Sequence, residues 1–243
     1  MCYNIFSNQK EWYEMLKENV NVTIGIEANI GVGKSSLAEI LSNQMGTTWV
    51  PEPVDSNPYL EKYYADPKEY GFIMQMYLLG ERFKNMKRAM LTRNSIEDRT
   101  LEGDKLFAKV NYLQGTMTED QLTVYNSVSN EMLKEIEGMP RKAYDLIIFL
   151  ETDIDDMLAK IKQRGRSFEL SDDLVSYYKL LLEQYTTWAS AYDKGPILTI
   201  NVKGKDFVNN PGDRQYVLST VYNKMRELEL ISADEYQELI ANI

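Results

Sequence analysis

The chain has 243 residues, 44% of them hydrophobic and 26% charged, with a formal net charge of −10. That length buries a full core, and that acidity excludes binding nucleic acid through a broad basic face, so anionic ligands must be met by local clusters. With no histidine and a lone cysteine, Cys2, the chain has no histidine acid–base chemistry, no Cys- or His-rich zinc site and no internal disulfide; a reducing cytoplasm is the expected compartment.

In chain order, residues Ser7 to Val20 read as an amphipathic helix carrying Trp12, Met15 and Leu16, a packing arm. Five short apolar runs follow as strands: Val22 to Glu27, Thr48 to Val50, Ser95 to Asp98, Asp145 to Leu150 and Ile197 to Val202. Helical stretches are expected at Ser36 to Met45, Lys68 to Leu91, Leu101 to Gln114, Glu119 to Glu137, Ile154 to Gln163, Asp172 to Tyr192 and Gln215 to Leu228. The longest shows Phe72, Met76, Leu79 and Phe83 at helical spacing, while Asn209 to Asp213 reads as a loop. Strands alternating with helices predict an α/β fold with a five-stranded parallel sheet covered on both faces. No apolar run approaches the roughly 20 residues of a membrane span, and Met1 to Asn4 does not open a secretory signal, so no membrane partner is expected.

The segment after the first strand carries the strongest chemistry. Ala28-Asn29-Ile30-Gly31-Val32-Gly33-Lys34-Ser35, running into Ser36 and a helix, is a phosphate-binding loop. Its glycines let backbone N–H groups turn onto a polyphosphate, Lys34 brings a point charge to the β and γ oxygens, and Ser35 offers a hydroxyl to Mg²⁺. A nucleoside triphosphate is the expected ligand. Ala28 occupies a position more often held by glycine, so its φ is expected to be negative.

Ligands of a parallel sheet collect beyond the carboxyl ends of its strands. There the chain places Glu52 after the second strand, Asp98-Arg99 after the third and Glu151-Thr152-Asp153 after the fourth. Each carboxylate alone also fits a turn or a helix cap. Together with the loop they suit phosphoryl transfer to a hydroxyl: Glu52 as base, Arg99 bracing the phosphoryl charge and Asp98 holding Mg²⁺ through water. Lys160, Lys162, Arg164 and Arg166 crowd the end of a helix. They read either as a solvated helix end or as a mobile arginine-rich lid over the triphosphate.

These residues resemble the deoxynucleoside kinases. The resemblance rests on Pro51-Glu52-Pro53-Val54, Asn57-Pro58, Tyr64-Ala65-Asp66-Pro67, Met74-Gln75, Asp98-Arg99-Thr100, Phe107-Ala108, Arg164-Gly165-Arg166 and Asp206-Phe207, in that order. It spans about Val22 to Met225, and is strongest to bacterial deoxyadenosine and deoxyguanosine kinases over Asp98 to Lys109 and Val202 to Arg214. It implies a P-loop kinase fold, with a helical arm over 1–21 and a kinase domain over 22–243, ATP with Mg²⁺, and a homodimer. It also implies roles. Glu52 would take the proton of a 5′-hydroxyl and Arg99 would steady it, while Tyr64 and Glu169 would hold the 3′-hydroxyl. Gln75 and Arg82 would read the base, with Asp104 or Glu102 as the paired acid, since this segment is one residue shorter than is usual in the family. Lys160, Arg164 and Arg166 would form the lid, and Asp206-Phe207 would line the adenine of ATP. Purine deoxynucleosides are the expected acceptors. A nucleoside monophosphate kinase is a weaker reading because Glu52 would repel a second phosphate, and a catalytically silent relative would have no use for Lys34, Ser35, Glu52 and Arg99.

Overall fold

A computed structural model describes residues 21–54, 57–92, 94–139, 143–166, 169 and 174–243. The arm expected over Ser7 to Val20, Cys2, and the expected start of a helix at residues 172 and 173 lie outside these. Five strands, β1 (Thr23–Ala28), β2 (Thr48–Val50), β3 (Ser95–Asp98), β4 (Leu146–Glu151) and β5 (Ile197–Asn201), form a sheet in the order β2-β3-β1-β4-β5. All four pairings are parallel, with Val50 and Gly25 both opposite Glu97. Nine helices surround it among the described residues: α1 (Lys34–Met45), α2 (Leu60–Ala65), α3 (Pro67–Thr92), α4 (Leu101–Leu113), α5 (Glu119–Glu137), α6 (Ile154–Arg164), α7 (Leu174–Ala191), α8 (Pro211–Glu227) and α9 (Ala233–Ala241).

The chain moves one way from β1 to β2 and the other way in every later crossover, so right-handed connections put α1 and α3 on opposite faces. The strand pleat follows suit. Ile24, Ile26 and Ala28 of β1 join Leu146 and Ile148 of β4 in a core with α1, α8 and α9, whereas Ile147 joins a second core built by α3, α4 and α5. On that second side a Cβ at Gly25 would lie 2.5 Å from the Thr100 methyl and 2.7 Å from Ile147. Glycine there lets α4 close on β1.

Three local features depart from the sequence expectation. The Asn209 to Asp213 segment is a helix start: Asn210 accepts hydrogen bonds from the N–H groups of Gly212 and Asp213, and Pro211 occupies the first turn, where its missing donor costs nothing. Helix α9 is an addition whose signal is Ser232 and Glu235, a capping box. The short α2 is also new, and it carries Tyr63 and Tyr64. Ala28 has negative φ, as expected; among described non-glycine residues only Arg99 and Glu229 are positive.

The interior strand β3 buries Glu97, whose Oε2 accepts from the Tyr144 hydroxyl at 2.7 Å. Burial pushes this carboxyl up to about 8 from its usual 4.5, against the Tyr144 contact, with the nearby Glu27 charge adding to the rise. The folded state therefore holds a proton that the unfolded chain releases above the ordinary carboxylate range, so this group weakens stability as pH climbs from about 4.5 toward about 8. Glu97→Gln, which cannot ionise, is expected to melt above the parent at pH 8, with the advantage shrinking toward pH 5. Thermal melts across that range check it.

Candidate active site

Beyond the carboxyl ends of β1, β2 and β3 lies a cavity of about 450 Å³. Three neighbouring strands deliver its chemistry: Lys34 follows β1, Glu52 follows β2 and Arg99 follows β3. The Glu52 carboxylate accepts from Lys34 Nζ at 2.9 Å through Oε2, and from Arg99 Nε at 2.8 Å through Oε1. Arg82 of α3 also donates to Oε1, and Lys34 pairs with Asp98 as well. Burial alone would raise the Glu52 carboxyl, but Arg99, Lys34 and Arg82 hold it well below the usual carboxylate range. It is ionised throughout the neutral range.

Arg99 reaches this position through an unfavourable backbone. Its φ is 82°, in the left-handed region that costs a residue with a Cβ about 1–2 kcal/mol. The neighbours offset that cost: its N–H continues the ladder to the Ile26 carbonyl at 3.1 Å, and Nη1 donates to the Ala28 carbonyl at 3.2 Å and to the Tyr185 hydroxyl. Its guanidinium carbon lies 4.4 Å from the centre of the Phe107 ring. Burial would lower its pKa, yet Glu52 and the surrounding groups raise it, so Arg99 is always charged.

The phosphate loop borders the same space. Asn29, Ile30, Gly31, Gly33, Lys34, Ser35 and Ser36 line the cavity, with Gly31 and Gly33 at φ 78° and 101°. Substitution is barred twice at Gly33, by its φ and by the Phe207 ring, 2.7 Å from where a Cβ would stand. Ala28 and Val32 face the core instead.

Deeper in the cavity, Gln75 is fully buried, and neither its Oε1 nor its Nε2 has a hydrogen-bond partner among the described residues. One helical face carries Arg82 seven residues on. Arg82 pairs with Asp104, which is fully buried and accepts from the Tyr125 hydroxyl at 2.6 Å; Glu102 instead meets Lys194 at 2.8 Å near the surface. Of the two acids left open by the sequence, the structure joins Asp104 to Arg82. Tyr125 has no sequence signal, because it comes from α5, far along the chain.

Across the cavity, Arg164 and Arg166 converge on the buried Glu169, Arg166 at 3.7 Å. Tyr64 lines the space, and burial together with the Tyr178 and Glu169 environment raises its phenol well above the usual value. Other expected residues stand apart. Lys160 pairs with Asp156 at 2.7 Å and reaches the Val202 carbonyl at 3.3 Å, Asp206 accepts from Asn209, and Phe207 is core beneath Gly33. The Glu151 to Asp153 segment does not join the cleft: Asp153 caps α6, accepting from the Asp156 N–H at 2.9 Å. Ser35 and Asp98 are suited to a hard cation that keeps several waters, since they offer one hydroxyl and one carboxylate beside the loop. Among the described residues no helix is long and apolar enough to cross a membrane.

A sequence model of the deoxynucleoside kinases matches residues 24–226. The chain belongs to the deoxynucleoside kinase family. It is 38% identical over 214 residues to a deoxyguanosine kinase of Lactobacillus acidophilus, covering 87% of this chain and 94% of that one. It is 39% identical over 208 residues to a deoxyadenosine kinase of the same organism, covering 84% and 97%. A deoxyadenosine/deoxycytidine kinase of Bacillus subtilis is 32% identical over 207 residues, covering 83% and 92%. The solved structure of deoxyadenosine kinase from M. mycoides with bound dATP superposes with a TM-score of 0.69 at 30% identity, over 82% of this chain and 98% of that one. This deoxynucleoside kinase thus has the P-loop kinase fold, and it phosphorylates deoxynucleosides.

The two candidate acids differ sharply in energetic weight. Removing Asp104 leaves the buried Arg82 with only Glu52, which Lys34 and Arg99 already share, and the Tyr125 hydroxyl without its acceptor, so Asp104→Ala is expected to cost about 3–5 kcal/mol of stability. Breaking the surface pair with Glu102→Ala should cost below about 1 kcal/mol. Urea denaturation of the two variants measures the difference.

Proposed function

We propose that this enzyme transfers the γ-phosphoryl group of ATP to the 5′-hydroxyl of purine deoxynucleosides, with Glu52 as base and Arg99 steadying both it and the phosphoryl group. The observation that carries the reading is the Glu52 carboxylate at the mouth of the phosphate loop, 2.9 Å from Lys34 and 2.8 Å from Arg99. In the reaction the bond between the γ-phosphorus and its bridging oxygen breaks, a bond to the 5′-oxygen forms, and the hydroxyl proton passes to Glu52. A carboxylate held well below its ordinary pKa is a weak base. It suffices here because phosphoryl transfer is loose, and the hydroxyl needs orientation more than early deprotonation.

Asp98 and Ser35 would hold Mg²⁺ with the triphosphate, and the ion would supply neutralisation of the phosphate charge. Lys34 would bring its point charge to the phosphate oxygens. Arg164 and Arg166 would act as a lid over them; the turn at Gly165, φ 74°, that ends α6 supports a change of direction there. Lys160, Asp206 and Phe207 would act from behind, supporting the lid helix and the loop on the adenine side. Tyr64 and Glu169 would bind the 3′-hydroxyl, an assignment favoured by their common border on the cavity.

For the base, Gln75 offers one acceptor and one donor, buried and without partners among the described residues. Arg82, held by Asp104, adds a second contact. Adenine presents the complementary pair of edges to such an amide, and the deoxyadenosine and deoxyguanosine kinases among the relatives favour purines. We further propose that the enzyme works in the cytoplasm, as its lone cysteine suits, and as a homodimer; exposed Ile73, Tyr112, Leu113 and Val124 on α3, α4 and α5 favour pairing.

A coupled assay with ATP and the four deoxynucleosides tests the substrate reading. Deoxyadenosine or deoxyguanosine should give the highest kcat/KM, and a preference for thymidine would overturn the assignment of the Gln75 pocket. Glu52→Gln keeps the shape and removes the basicity. Its kcat should fall by about 10²–10⁴ with ATP affinity retained; near-parental turnover would return Glu52 to a structural turn.

A further inference from the structure

Glu27 has no part in the reaction as described, yet it is wholly buried at the end of β1, beside the phosphate loop. Its two oxygens have separate partners. Oε1 accepts from the Thr100 N–H at 2.7 Å and the Thr100 hydroxyl at 2.6 Å, which ties down the start of α4. Oε2 accepts from the Tyr185 hydroxyl at 2.9 Å and lies 3.7 Å from Arg99 Nη1. That same Nη1 donates to the Tyr185 oxygen. A chain of contacts therefore runs from carboxylate to phenol to guanidinium to Glu52.

Each link is held in place by packing. The Tyr185 ring stacks on Phe149, with centroids 5.8 Å apart and planes 11° from parallel, and meets Phe107 edge-on at 6.2 Å. Its hydroxyl has one proton; with that proton given to Glu27, the oxygen is left to accept from Arg99. Helix α4 approaches Glu27 only because Gly103 lacks a side chain, since a Cβ there would stand 2.3 Å from both carboxylate oxygens. A buried carboxylate with no cation nearby would be costly, and Arg99 is the cation this one faces.

We propose that Glu27 and Tyr185 are positioning residues for Arg99: the Glu27 carboxylate, acting through the Tyr185 hydroxyl, holds the guanidinium over the end of β1 so that its Nε meets Glu52. The inference rests on the reading of Arg99 given above. It accounts for the left-handed backbone at Arg99, whose strain persists because the side chain is gripped on the far side of the sheet end. Glu27 also extends this charge set into the sheet, fully buried and behind the residues that line the cavity.

The test uses the full chain with Glu27→Gln, Tyr185→Phe and Arg99→Ala, alone and combined, and reads kcat alongside calorimetric affinities for ATP and for the best deoxynucleoside. Glu27→Gln and Tyr185→Phe should each lower kcat by about 10- to 100-fold, the scale of a displaced catalytic group. Both affinities should stay within about twofold of the parent, because Arg99 steadies Glu52 and the phosphoryl group chiefly during transfer. The two losses should not add, and neither should deepen the defect of Arg99→Ala. Tyr185→Phe keeps the stacked ring, so it reports even if the Glu27 variant fails to fold. A slow Arg99→Ala enzyme beside a Tyr185→Phe enzyme of parental kcat would overturn the brace alone, as would a further kcat loss when Tyr185→Phe is added to Arg99→Ala. Parental turnover in Arg99→Ala would overturn the reading of Arg99 and the brace with it.

Discussion

The convergence of Lys34, Arg82 and Arg99 on the Glu52 carboxylate is the interaction around which the molecule is arranged. A carboxylate largely withdrawn from water is costly unless its charge is met, and here three cations from three elements meet it. The sheet order makes that possible. Because β3 lies between β2 and β1, the residues that follow the three strands emerge side by side, and Arg82 reaches in from the interior of α3. The same network orders the phosphate loop, since Lys34 begins α1 and is tied to both Glu52 and Asp98.

Arg82 spans two parts of the cavity wall. It touches Glu52 on one side and Asp104 on the other, so the helix that carries Gln75 also carries a contact to the Glu52 carboxylate. Asp104 is in turn fastened by Tyr125 from α5. A change in how α3, α4 and α5 pack is therefore felt at the carboxylate, which ties the second hydrophobic core to chemistry. The first core, under α1 and α8, supports the phosphate loop from the other face, with Phe207 closing the space below Gly33.

Buried polar groups are concentrated on the side of the sheet that α4 covers. Glu27, Glu97, Thr100, Tyr144 and Tyr185 would each be a liability alone, and they are tolerated because each hydroxyl meets a carboxylate. Small residues make room for them: Gly25 admits Thr100 and Gly103 admits Glu27. With Glu97 protonated at neutral pH, the carboxylate behind Arg99 is that of Glu27.

The amino-acid sequence by itself determined the strands, the phosphate loop, most helices and the family, because these depend on local signals: apolar period, glycines at fixed spacing, and motif order along the chain. It also marked Glu52, Asp98 and Arg99 by their places at strand ends, and, through the family resemblance, Gln75 and Arg82, seven residues apart on one helix. The Asn210 cap and the Ser232 capping box are local signals as well, although the first is ambiguous in sequence, since a proline after a polar run signals a turn and a helix start alike. Only the tertiary structure decided that Asp104 and not Glu102 meets Arg82, that Asp153 caps a helix away from the cleft, and that Tyr125 and Tyr185 stand behind the site. Those outcomes depend on which side chains from distant segments share one buried space. Residues 86 positions apart, such as Arg99 and Tyr185, are brought into contact by packing and not by any pattern between them.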